Sequence, residues 1–120
     1  MAHTLSAFYD TPHGVACAIL LPTVMEFNAP ASGEKYREIA RVMGVKDVDK
    51  MSQEEYRKAA VDAVRQLSID VGIPQSLKGI VKPEDLDYLS ECAIKDACAP
   101  GNPRDASKQD VLDLFNSLLK

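Results

Sequence analysis

His3 and His13 are the only two imidazoles among 120 residues, and both fall in the opening stretch MAHTLSAFYDTPHG. Imidazole is the side chain best suited to hold a metal or carry a proton near neutral pH, so this stretch is where chemistry is sought first. His13 follows Thr11 and Pro12 and is expected in the first turn of a helix. Unpaired N–H groups and the helix dipole favour a neutral ring there, the form a metal binds. One imidazole is not a site, however, and a hydrogen-bonded or partly exposed histidine is the plainer reading of the position. His3, ten positions earlier, matches no short metal motif such as two histidines one helical turn apart. Asp10 and Glu26 are the only acids in the first thirty residues, whereas a transition metal normally takes three or more converging ligands. Asp10, just ahead of Thr-Pro, reads as a turn residue before it reads as a ligand. Cys17, Cys92 and Cys98 have neither zinc-knuckle spacing nor the density of a disulfide scaffold. They read as free thiols of a reducing compartment, acting as small buried hydrophobes.

Helices must position these groups. Thr11 is expected to cap a helix with Pro12 at its first position. Its apolar residues, from Val15 to Phe27, point in nearly every direction, the pattern of a helix buried all round. Pro22 should kink or interrupt it. A second helix lies between Ser32 and Gly44, with Tyr36, Ile39, Ala40 and Met43 on one face. The third begins at a capping box of Ser52 and Glu55, carries the stripe Tyr56, Ala60, Ala63, Val64, Leu67 and Val71, and ends at Gly72 and Pro74. After the connector IPQSLKGIV, a fourth starts at Pro83 and should bury Leu86, Leu89, Ala93 and Ala97. Ser107 and Asp110 resemble a second capping pair, ahead of Val111, Leu114, Phe115 and Leu118. No period-two strand pattern occurs, so the expected fold is all-α, a single helical bundle of about five helices.

Composition narrows the function classes. With 14 basic and 18 acidic side chains interspersed, for a net charge of −4, the chain has no basic tract for a phosphate backbone. No nucleic acid partner is expected. The apolar run GVACAILLPTVM contains a proline and reads as too short to cross a bilayer, so no membrane is expected either, and a soluble cytoplasmic protein is. Glycines 14, 33, 44, 72, 79 and 101 stand alone, with no glycine-rich nucleotide loop.

The segment MAHTLSAFYDTPHGVACAILLPTVMEFNAP resembles the signature of the iron-containing, NAD-dependent alcohol dehydrogenases, in the branch of the lactaldehyde reductases, 1,3-propanediol dehydrogenases and butanol dehydrogenases. The likeness continues through KYREIARVMGV, LSIDVGIPQSL and GNPRDASKQDVLDLF. It implies a two-part enzyme, an α/β domain for the dinucleotide and a helical domain, with Fe²⁺ and a small alcohol or aldehyde in the cleft between them. An aspartate and three histidines hold the iron in that family, and the last histidine matches His13. His3 matches a histidine that is not a ligand but lines the site near the nicotinamide, a candidate for relaying the alcohol proton.

On this resemblance, residues 1–120 correspond to the C-terminal part of the helical domain. The other ligands and the N-terminal dinucleotide-binding domain are expected to be missing partners ahead of Met1. Such a fragment is expected to be inactive alone and to bind neither Fe²⁺ nor NAD tightly. The alternative is a stand-alone, non-catalytic helical scaffold or self-associating remnant. In either case the apolar first helix should leave a patch that drives homo-oligomer formation or is covered by a rearranged amino terminus.

Overall fold

A computed structural model describes residues 1–120. It contains six α-helices and no β-strand: α1 (Ala2–Tyr9), α2 (His13–Asn28), α3 (Lys35–Val42), α4 (Gln53–Asp70), α5 (Leu86–Lys95) and α6 (Lys108–Leu118). Side-chain caps start two of them. Ser52 Oγ accepts the Glu55 N–H at 3.2 Å at the head of α4. The expected box is only half made there, because the Glu55 carboxylate takes the Ser52 hydroxyl rather than its backbone N–H. The reciprocal box forms at α6, where Ser107 Oγ accepts from the Asp110 N–H at 3.1 Å and the Asp110 carboxylate accepts from the Ser107 N–H at 2.9 Å.

These donors, the Ser107 backbone N–H foremost, hold the Asp110 carboxyl below the usual aspartate value. A depressed carboxylate pKa stabilises the fold above the unfolded-state value, and the contribution disappears as pH falls through the folded one. The melting temperature is therefore expected to drop as pH is lowered through 3.8 and beyond. Asp110→Asn should flatten that part of the curve, as pH-resolved thermal denaturation will read.

The hydrophobic residues divide between two clusters. The larger gathers Leu5 of α1, Ala16, Ile19 and Leu20 of α2, Leu86 and Leu89 of α5, and Val111, Phe115 and Leu118 of α6, with Leu77 and Val81 of the connector. Leu77 donates its N–H to the Leu118 carbonyl at 2.8 Å and Ser76 Oγ donates to the same oxygen at 2.7 Å, so the connector closes the end of α6. The smaller packs Tyr36 and Ala40 of α3 against Tyr56, Ala60 and Val61 of α4, with Val48 between. Helix α2 serves both, since its Met25 borders the second cluster and the Met25 carbonyl accepts from Tyr36 Oη at 2.7 Å.

Several expectations are corrected. The opening MAHTLSAFY forms helix α1, and the turn after it is confined to Asp10–Pro12, where Asp10 takes the left-handed conformation (φ 55°). Pro12 is extended (ψ 131°) and stands outside α2, so the helix begins at His13 and Thr11 does not cap it. Pro22 does not interrupt α2. The missing hydrogen bond costs about 3 kcal/mol, and the helix is held by packing on both sides of the proline, Leu20 in one cluster and Met25 against the other. Nor is the run short: helix continues from His13 to Ala31, 19 residues, long and apolar enough by length and composition to cross a bilayer. Here it packs one side into the bundle rather than being buried all round, and Leu21 is half exposed.

The stripe on α4 also ends early. Leu67 and Val71 are exposed, while Ser68 is buried. The reason is length: α3 has 8 residues and α4 has 18, about 12 Å against 27 Å at 1.5 Å per residue, so the last turns of α4 outrun the helix they pack on. Ala97 is exposed because α5 stops at Lys95 and the chain turns extended at Asp96.

Candidate functional site

The turn at Asp10 folds α1 back against the start of α2, which brings together side chains ten positions apart. Leu5, fully buried, anchors the middle of α1. Tyr9 anchors its end: Tyr9 Oη donates to Asp85 Oδ2 at 2.6 Å and accepts the Lys82 N–H at 3.1 Å, fixing α1 to the segment that leads into α5. Desolvation first, and the Asp85 hydrogen bond second, push the Tyr9 hydroxyl above its usual pKa, so it stays protonated as a donor. With both ends held, the His3 and His13 rings stack with centroids 5.1 Å apart and planes 21° apart.

Each imidazole has a second neighbour. His3 Nδ1 lies 2.8 Å from Asp96 Oδ2. The other oxygen, Asp96 Oδ1, accepts the Cys98 N–H at 2.8 Å. The Cys98 N–H and then His3 hold the Asp96 carboxyl below the usual aspartate value. An ionised carboxylate can only accept, so His3 carries its proton on Nδ1 and its Nε2 is the free nitrogen. The Asp96 side chain is 18% exposed and that of His3 53%, so the carboxylate is the shielded partner and the ring the accessible one. His13 Nε2 lies 3.4 Å from Cys17 Sγ, one turn along α2.

Both imidazoles open onto a groove of about 800 Å³ between α2 and the α5–α6 connection, lined mainly by apolar side chains such as Leu20, Leu21, Val24 and Ile94. Its far end is closed by a clasp. Asn28 and Asn102 exchange two amide hydrogen bonds of 2.8 Å. Arg104 donates to the Phe27 carbonyl at 2.7 Å and lies 4.2 Å from the centroid of the Phe27 ring, a helix-end contact that finishes α2. A concave apolar wall with a few convergent polar groups at its rim is the usual form of a small-molecule site.

His3 and His13, the two residues singled out in the sequence, are thus brought together. Asp10 is not among them; it is exposed and makes the turn. Asp96, Cys98 and Cys17 are additions. Asp96 and Cys98 lie more than ninety positions from His3 with no local pattern to flag them, whereas Cys17 stands four residues after His13 on a helix, a spacing that does signal proximity. All three cysteines are free, but Cys17 and Cys98 are exposed rather than buried.

The sequence and the fold are similar to those of several known proteins. The chain is 57% identical to lactaldehyde reductase of Escherichia coli K12 over 118 residues, covering 98% of this chain and 31% of that protein. It is 42% identical to 1,3-propanediol dehydrogenase of Citrobacter freundii over 116 residues, 96% of this chain and 30% of that protein. The crystal structure of a 1,3-propanediol oxidoreductase superposes with a TM-score of 0.93 at 41% identity, over 98% of this chain and 31% of that one. The chain therefore spans about a third of the length of these relatives. Residues 1–119 match the family model described as "Fe-containing alcohol dehydrogenase family, C-terminal", and the chain belongs to that family.

Proposed function

We propose that this chain forms the metal-side wall of an active site that oxidises small alcohols, or reduces the corresponding aldehydes, with NAD and Fe²⁺. Residues 1–120 make up the C-terminal helical part, and an N-terminal dinucleotide-binding domain corresponds to the portion of the relatives that this chain does not span. The observation that carries the reading is the stacked pair His3 and His13 at the rim of an apolar groove, one ring clamped by Asp96 and the other on the first residue of α2.

The residues fit an iron ligand on one side of that site. His13 is exposed, makes no hydrogen bond to a carboxylate and presents a borderline nitrogen donor, which suits Fe²⁺; it would be one ligand, with the others supplied by the portion of the relatives that this chain does not span. When bound, Fe²⁺ supplies Lewis-acid polarisation of the substrate oxygen and NAD takes the hydride.

The chain's own residues do the rest. Asp96 accepts from His3 Nδ1–H and thereby orients the ring, leaving Nε2 to pick up or release the alcohol proton. Leu21, Val24 and Ile94 line the groove with apolar surface that keeps water from a short aliphatic substrate. The same surface is what a partner domain would cover, or a second copy of the chain where none is present. Free thiols suit a reducing compartment, the cytoplasm.

The test joins this chain to the N-terminal portion of a relative, supplies Fe²⁺ without oxygen and follows NAD reduction with short alcohols and diols. Turnover is expected in the joined protein and not in the chain alone, and His3→Ala should lower it by about 10²–10⁴-fold, the range of a lost proton-transfer group. A joined protein that associates and binds NAD yet turns over no alcohol would overturn the reading.

A further inference from the structure

A ring nitrogen of His3, a carboxylate oxygen of Asp96 and Cys98 Sγ all lie within 4.8 Å of one another, a nitrogen, an oxygen and a sulfur converging from α1 and from the turn after α5. We infer that these three groups form a binding site for a borderline-soft divalent cation of the zinc type, separate from the iron position at His13. The donor set decides the class of metal. Thiolate and imidazole exclude calcium and magnesium, which take oxygen ligands, and favour zinc, which accepts all three donor types.

The geometry is close to ligation. Metal–ligand bonds of about 2.0–2.3 Å in a tetrahedron place ligand atoms about 3.5 Å apart. The His3–Asp96 pair, at 2.8 Å, has to open slightly, and the thiol lies no more than 4.8 Å from the ligand atoms of the other two. Cys98 is exposed and free to rotate its side chain, while the Asp96 carboxylate is already held in place through its other oxygen by the Cys98 N–H. Three protein ligands leave the fourth position for water or an exogenous ligand.

Binding balances simply. The cation takes the place of the proton on His3 Nδ1, the ring shifting to its Nε2–H tautomer and staying neutral; the thiol proton of Cys98 passes to solvent, and the two charges of the ion are met by one carboxylate and one thiolate. If the dehydrogenase reading holds, an occupied site fixes His3 to the metal in place of Asp96 and slows the proton step. The binding itself does not depend on that reading.

The experiment uses Co²⁺ as a visible stand-in for zinc, added to the reduced 120-residue chain. A sulfur-to-cobalt charge-transfer band and the intense visible bands of a four-coordinate ion are expected, and stoichiometric Zn²⁺ should displace both. Cys98→Ser should abolish the charge-transfer band and His3→Ala should weaken binding by about tenfold or more, whereas Cys17→Ser should leave the spectrum unchanged. His3 and Cys98 are exposed, so these variants should retain the wild-type circular dichroism. The absence of a thiolate band in the wild-type chain, or its loss in Cys17→Ser with persistence in Cys98→Ser, overturns the proposal, the latter outcome placing the ion on His13 and Cys17 instead. Loss of alcohol turnover in the joined protein with the cobalt spectrum intact sinks only the dehydrogenase reading.

Discussion

His13→Ala in the joined enzyme is expected to lower kcat/KM by well over the roughly 10–100-fold that follows loss of a residue merely supporting a ligand, and to lower the iron retained after dialysis in parallel. The side chain is exposed at the first residue of α2 and contributes to neither apolar cluster. Removing it should change stability by no more than about 0.5 kcal/mol. Separating activity and metal content from melting temperature makes the measurement decisive. His13→Ala protein that keeps iron and turns over alcohol normally would show that this ring is no ligand. The neighbouring His3→Ala should behave differently, keeping its iron while losing rate, because His3 is proposed to handle a proton.

Leu5→Ala is expected to have the largest effect on folding. Leu5 is fully buried and is the one residue of α1 that enters the main cluster, among Leu20, Leu86, Leu89 and Phe115. Truncating such a leucine costs about 2–5 kcal/mol, a large share of the roughly 5–15 kcal/mol that stabilises a domain. Leu67→Ala supplies the contrast, since that side chain is 50% exposed and alanine is the better helix former, so the change should stay within about 0.5 kcal/mol. Urea denaturation of the two variants at one temperature compares them directly. Equal midpoints would mean that α1 does not belong to the core as described.

Much of the scaffold was legible because its signals are local. Ser107 with Asp110, Ser52 ahead of α4, and Gly44 and Gly72 at φ 91° and 81° after α3 and α4 each specify an end of a helix through residues no more than a few positions apart. Helix α1 lacked any such mark. Its first residue follows Met1 without a side-chain cap and it ends on Asp10 rather than glycine, so no local signal bounds its eight residues. The exposure of Leu67 and Val71 was not legible either, because it follows from the shortness of a different helix.

The site divides in the same way. His3 and His13 drew notice by residue type, and the roles proposed for them came from likeness to a family whose pattern they match. Asp96 and Cys98 could be found only once α5 had been folded against α1, since nothing in KDACAP distinguishes that aspartate from the other acids on the surface.

Helix α2 threads both apolar clusters and carries His13 at its tip. It therefore works as a lever. At 16 residues it is about 24 Å long, so a tilt of about 5° at the Phe27 end sweeps the imidazole through about 2 Å. A displacement of 1 Å at a reacting centre can cost about 10²-fold in rate. In the proposed enzyme, substitutions at the Asn28–Asn102 and Arg104–Phe27 clasp, remote from any reacting atom, would thus gain mechanical leverage over turnover.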